Sequence, residues 1–174
     1  MTGGRSAVVL MVPVPASIRR IRALHDPMAR RGVPPHVTLV FPFVPAVRLG
    51  KAERQHLAAI AGEARPFSLR FADVRRFPSS LYLAPEPTEP VHALIAAVVR
   101  AFPDHPPNEG AFEAVIPHLT VAADAGEAVL AGLVPAAQAP LPFSAAIRAL
   151  TVLAEDEIGQ WRTHWRIPLG TRRP

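Results

Sequence analysis

Apolar residues recur along this chain with two periods, and each change of period marks an element. Residues 7–14 form a nearly unbroken apolar run, which predicts a buried strand. Ile18, Ile21 and Leu24 then share one helical face, with Ser17 placed to cap it. Pro27 interrupts that helix and leaves Met28 to a further turn. Residues 36–43 predict a second strand. Residues 51–61 predict a helix with Leu57 and Ile60 inward and Gly62 at its end. Phe67, Leu69 and Phe71 return to the alternation of a half-buried strand, and a short strand at 81–84 follows the turn Pro78-Ser79-Ser80.

The clearest helix follows Thr88, where Val91, Leu94, Ile95, Val98, Val99 and Phe102 make one apolar stripe. Residues 103–110 are a polar, Pro-rich loop, and 116–122 predict another strand. Asp124 and Glu127 have the spacing of a capping box ahead of Val129, Leu130 and Leu133. Phe143, Ala145, Ile147 and Ala149 alternate in one long strand. Trp161, Thr163, Trp165, Ile167 and Leu169 alternate in a second, with 155–160 as the hairpin loop between them. Alternating strands interleaved with amphipathic helices predict an α+β fold of antiparallel sheets covered by helices.

Composition narrows the class. The 174 residues are 49% hydrophobic, enough for the core of a single domain. The 21 prolines are scattered, so they punctuate short elements and do not mark a disordered tract. The absence of cysteine excludes disulfides, thiolate catalysis and cysteine-ligated metals. The apolar run at 7–14 is too short for a membrane span and lacks a signal-peptide cleavage pattern, so a cytoplasmic location without membrane contact is expected. The net charge of +5 rests on 18 arginines and the single Lys51. Arginine favours phosphate through bidentate contacts, although a solvated basic surface explains the charge equally well. Arg19, Arg20, Arg22, Arg30 and Arg31 make a basic stretch that would steer anionic substrates.

Two segments of the chain repeat. Val33-Pro34-Pro35-His36-Val37-Thr38-Leu39 and Val115-Ile116-Pro117-His118-Leu119-Thr120-Val121 both read Val-x-Pro-His-aliphatic-Thr-aliphatic, nearly half a chain apart. A strand, a helix and a loop precede each, which predicts an internal duplication with a pseudo-two-fold axis. Chance alone gives about 0.07 such motifs in a chain of this composition. On a strand, His36 and Thr38 point the same way while Val37 and Leu39 enter the core, and the second copy does likewise. Packed around a two-fold, two imidazoles and two hydroxyls converge. That set suits in-line displacement at phosphorus: a base on the entering oxygen, an acid on the departing one, and hydroxyls on the non-bridging oxygens. Histidine titrates near neutrality and can fill either role, and the scheme requires no metal.

These paired motifs resemble the two-histidine phosphoesterase superfamily, in particular its 2′-5′ RNA ligase and cyclic phosphodiesterase-like branch. The resemblance rests on His-Val-Thr-Leu-Val-Phe-Pro-Phe at 36–43, Pro-His-Leu-Thr-Val-Ala at 117–122, and the closing strand from Trp161 to Leu169-Gly170. It implies one two-lobed domain over residues 1–174, with antiparallel sheets and flanking helices around a central cleft. His36 and His118 match the catalytic histidines of that family, and Thr38 and Thr120 its phosphate-binding hydroxyls. No cofactor is implied. Members acting on RNA often carry a basic residue after the second motif, where this chain has Ala122, Ala123 and Asp124. A small cyclic nucleotide or a short RNA end is therefore the expected partner.

Further candidates for substrate contact are Arg162 and His164 on the last strand and Tyr82, which could stack on a base; a solvent-facing or packing role is the plain alternative. His25, His56, His92 and His105 lack paired metal-ligand spacing. Two other functions compete with the phosphodiesterase: a non-catalytic RNA- or nucleotide-binding module that retains the cleft, and a metal-dependent hydrolase with the histidines as ligands.

Overall fold

The computed structural model describes residues 4–110 and 115–171. The first half contributes β1 (Ser6–Met11), α1 (Ala16–His25), α2 (Pro27–Arg30), β2 (His36–Val40), α3 (Lys51–Glu63) and β3 (Phe67–Phe77). Then follow β4 (Ser80–Glu86), α4 (Glu89–Ala101), β5 (Leu119–Ala123), α5 (Glu127–Gln138), β6 (Phe143–Ile147), β7 (Ala149–Glu155) and β8 (Trp161–Pro168). The strands form two four-stranded antiparallel sheets, ordered β2-β1-β7-β8 and β5-β4-β3-β6. The fold is α+β.

The duplication is visible in the topology. In both β1-α1-β2 and β4-α4-β5, an inner strand leads through a helix to an edge strand carrying or abutting a motif. The edge strands β2 and β5 lie against one another, while α1 packs on β5 and α4 on β2. This crossed packing ties the lobes together, and a single main core runs through both. Val37, Leu39, Leu119 and Val121 are fully buried in it. They pin the motif strands from behind, as the alternation predicts.

β1 is buried on both faces. Val8 and Leu10 enter the main core, while Ala7 and Val9 join Val33, Leu153 and Trp161 in a smaller apolar cluster on the other face. Two-sided burial explains the unbroken apolar run, which ends as a strand at Met11. α4 buries Val91, Leu94, Ile95 and Val98 as its stripe predicts.

Five expectations are corrected. In α1 the inward residues are Ile18, Ile21 and Arg22; Leu24 is exposed, because Asp26 neutralises Arg22 and lets it take the buried place. Ser17 lies inside that helix, which starts after Pro15 without a side-chain cap. α3 passes through Gly62 to Glu63. Asp124 has a φ of 55° and does not cap α5, which begins at Glu127 after Gly126. The expected strand through Phe143 and Ala149 is two strands in different sheets, β6 beside β3 and β7 beside β1.

Candidate active site

His36 opens β2 opposite Met11, and His118 immediately precedes β5. Each ring makes the same local hydrogen bond. His36 Nδ1 lies 2.7 Å from the Pro34 carbonyl oxygen, and His118 Nδ1 lies 2.7 Å from that of Ile116. A carbonyl can only accept, so both Nδ1 atoms carry the hydrogen, which leaves the two Nε2 atoms as the positions that can take or give a proton. The intervening Pro35 and Pro117 supply no N–H and bias the residue before them toward extended backbone. The shared Pro-His pair thus encodes the ring orientation as well as the turn into the strand.

A cavity of about 310 Å³ joins the two motifs, with His36, Thr38 and His118 all on its wall. Its floor is the small apolar cluster on the first sheet: Ala7, Val9, Val33, Leu153 and Trp161. Met28, Phe41 and Arg5 complete the rim. Thr120, half-buried beside His118, does not line this cavity; it pairs with Tyr82 across the β4–β5 ladder, as Thr38 pairs with Val9 across β1–β2. A larger hollow of about 680 Å³ lies between α3 and α4, but it holds neither motif and is lined mostly by apolar residues with Arg65 and Arg100. The histidines, not the size of a hollow, single out the candidate site.

The first ring has a distinctive environment. Burial drives the His36 pKa down to about 4 from an ordinary 6.5, against the Pro34 hydrogen bond, which favours the charged form. The Arg22 cation depresses it further, Asp26 opposes that, and His118 adds a smaller depression. Arg22 and Asp26 form a buried ion pair at 2.6 Å, with 3% and 2% of their side chains exposed. Asp26 also accepts the Met28 N–H at 2.9 Å and so caps α2, while Arg22 reaches the Val33 carbonyl at 3.4 Å. One ion pair thereby fixes α1, α2 and the loop that presents His36. Arg22 is not a steering residue, and Arg31 is engaged by Glu155.

Sequence reasoning missed Arg5. Its Nε and Nη2 donate side-on to Glu155 at 2.8 and 3.1 Å, and its guanidinium lies over Phe41 at 5.7 Å and Trp161 at 5.8 Å. Glu155 also accepts from Arg31. The hydrogen bond from Arg5, reinforced by the nearby cations, holds the Glu155 carboxyl at about 2 against a smaller opposing effect of burial. The sequence offers no local signal for this pair, because its members are 150 residues apart.

Of the remaining candidates, Tyr82 is near the site but only 6% exposed, packed edge-on to the His118 ring, so it presents no free face to a base. Arg162 and His164 are not brought to the cleft. They sit on β8, the edge strand of the first sheet opposite β2, and line a separate hollow with Glu155, Asp156 and Glu157. Among the described residues, no group of three or more His, Cys, Asp or Glu side chains is placed to hold a metal ion. No helix among them is long and apolar enough to cross a membrane.

A family model described as the 2′-5′ RNA ligase superfamily matches residues 12–159. Among solved structures, E. coli LigT complexed with 3′-AMP is similar with a TM-score of 0.55 and 21% identity, covering 96% of this chain and 98% of that one. E. coli LigT complexed with NADP+ gives 0.56 and 22%, over 97% and 99%. A Thermus thermophilus protein gives 0.59 and 15%, over 97% and 100%. At these identities the likeness is one of fold. No curated protein sequence matches significantly.

Proposed function

The chain belongs to the 2′-5′ RNA ligase superfamily, and from that premise we propose that it is a metal-independent phosphodiesterase acting on 2′,3′-cyclic or 2′-5′-linked RNA-type phosphodiesters. The observation that carries this reading is the matched anchoring of His36 and His118. Each spends its Nδ1–H on a backbone carbonyl, each leaves Nε2 to take or give a proton, and both line one cavity.

With a phosphodiester between the rings, one Nε2 takes a proton from the attacking water. The new P–O bond forms as the bond to a ribose oxygen breaks, and the other ring delivers its proton to that oxygen. The two rings end with their protonation exchanged, and solvent resets them. Thr38, on the cavity wall, donates a hydroxyl hydrogen bond to a non-bridging oxygen, where charge is concentrated in the transition state, and Thr120, half-buried beside His118, is the matching candidate from the second motif. The apolar floor with Phe41 and Arg5 at its rim suits a nucleobase, which stacks on aromatic and guanidinium faces. LigT complexes with 3′-AMP and NADP+ support a nucleotide ligand for this fold.

The test is hydrolysis of 2′,3′-cyclic AMP in the presence of a chelator. Turnover is expected to persist there, and His36→Ala and His118→Ala are each expected to lower kcat by about 10²–10⁴. Turnover abolished by the chelator, or unchanged in either variant, contradicts the mechanism. Nucleotide binding with steep salt dependence but no turnover would point instead to a binding module.

A further inference from the structure

The pseudo-two-fold makes the two sides of the cleft directly comparable. In the first lobe a bulge falls between Val8 and Val9, and Val9 stands opposite Thr38. In the second a bulge falls between Leu81 and Tyr82, and Tyr82 stands opposite Thr120. Val9 and Tyr82 therefore occupy equivalent positions beside the two motif threonines. What they do with the space differs. Val9, with Ala7, leaves the cavity open against His36. Tyr82 fills its side, its ring stacked on Phe77 at 4.3 Å and 21°. Both rings meet the His118 imidazole edge-on, Phe77 at 5.2 Å and Tyr82 at 5.6 Å. Another hollow on the second lobe, lined by Arg75, Tyr82 and Ile116, reaches neither His118 nor Thr120.

This asymmetry bears on substrate class. In an in-line displacement, the entering and departing groups lie on opposite sides of phosphorus. Breaking an internal 2′-5′ linkage, by attack of the neighbouring 3′ hydroxyl and departure of the 5′ oxygen, places one nucleoside on each side. Hydrolysing a terminal 2′,3′-cyclic phosphate places a nucleoside on one side and only water on the other. We propose that Phe77 and Tyr82 are the specificity element of this cleft: by filling the His118 side they admit a terminal cyclic phosphate and exclude a second nucleoside. The inference rests on the phosphodiesterase reading and narrows it. In the narrowed reaction the water oxygen bonds to phosphorus, one of the two P–O(ribose) bonds of the ring breaks, and the water's proton is passed by the histidines to the released ribose oxygen.

The experiment compares kcat/KM for 2′,3′-cyclic AMP with that for a 2′-5′-linked diadenosine monophosphate, in the parent protein and in Phe77→Ala. Tyr82→Leu serves as the second variant in case the first does not fold. The parent is expected to favour the cyclic substrate by about 100-fold or more, and either variant to reduce that preference at least about tenfold. Because these rings also support His118, both rates fall in the variants; the ratio is the readout, since loss of support alone lowers both rates together and leaves it fixed. A parent that cleaves the dinucleotide as well as the cyclic substrate, or an unchanged ratio in a folded variant, overturns the inference and leaves the phosphodiesterase standing. No turnover of either substrate by the parent removes both.

Discussion

His36 and His118 make the same hydrogen bond to a carbonyl two residues back, yet their surroundings differ. His36 faces a buried ion pair, and His118 is braced by Phe77 and Tyr82. Neutral His36 is therefore built into the folded state, and this has a pH signature. An unfolded chain protonates the residue near 6.5 and the folded one only near 4, so between these values the unfolded state binds more protons. Stability from this residue is full above pH 6.5 and drains as pH falls toward 4, by up to about 3 kcal/mol. Urea unfolding across that interval is expected to show the loss, and His36→Gln to flatten it; equal slopes in the two proteins would contradict the buried neutral ring. Glu155 adds a second, more acidic window. Its carboxyl is depressed to about 2, so its contribution is present above 4.5 and lost as pH falls through 2. The two motifs were legible because one residue pattern is written twice in the chain. Arg5 and Arg22 were legible as charges only. Their partners, at separations of 150 and 4 residues, are set by tertiary packing and by burial that no local pattern reports.

Elements were legible where one face is apolar and one polar, as in α4, and obscured where a strand is buried on both sides or changes face. β7 is almost wholly buried and carries no alternation, so its start was merged with β6. In β8 a bulge between the partners of Val152 and Leu153 shifts the register. Trp161 and Trp165, four residues apart and alike in sequence alternation, end in different clusters: Trp161 on the cleft floor, Trp165 against the main core. One extra residue reverses which side chains face inward. The short α2 depends on Asp26, which caps it and neutralises Arg22. Replacing Asp26→Ala removes the cap and strands a buried cation. A loss of about 3–5 kcal/mol is expected in denaturant unfolding; a loss under about 1 kcal/mol, the value of a surface pair, would contradict this role.

At the scale of the whole molecule, duplication decides where the site lies. Two edge strands from different sheets meet, β2 with His36 at its start and β5 with His118 immediately before it, and both rings line the cavity on which the proposed chemistry depends. The repeat made that architecture readable in advance, down to the buried faces of the motif strands. It could not reveal the broken symmetry that opens the cavity on one lobe and fills it with rings on the other, because Val9 and Tyr82 become equivalent only through strand register. The central claim is that two imidazoles, from opposite halves of the chain, hold one phosphate between their Nε2 atoms. Histidine-ring nitrogen NMR during titration with adenosine 3′-monophosphate measures this directly, with His36→Ala and His118→Ala assigning the signals. Of the seven histidines, His36 and His118 are expected to respond together at Nε2 while their Nδ1 atoms stay protonated. A saturating titration that moves only one of them, or neither, contradicts the account.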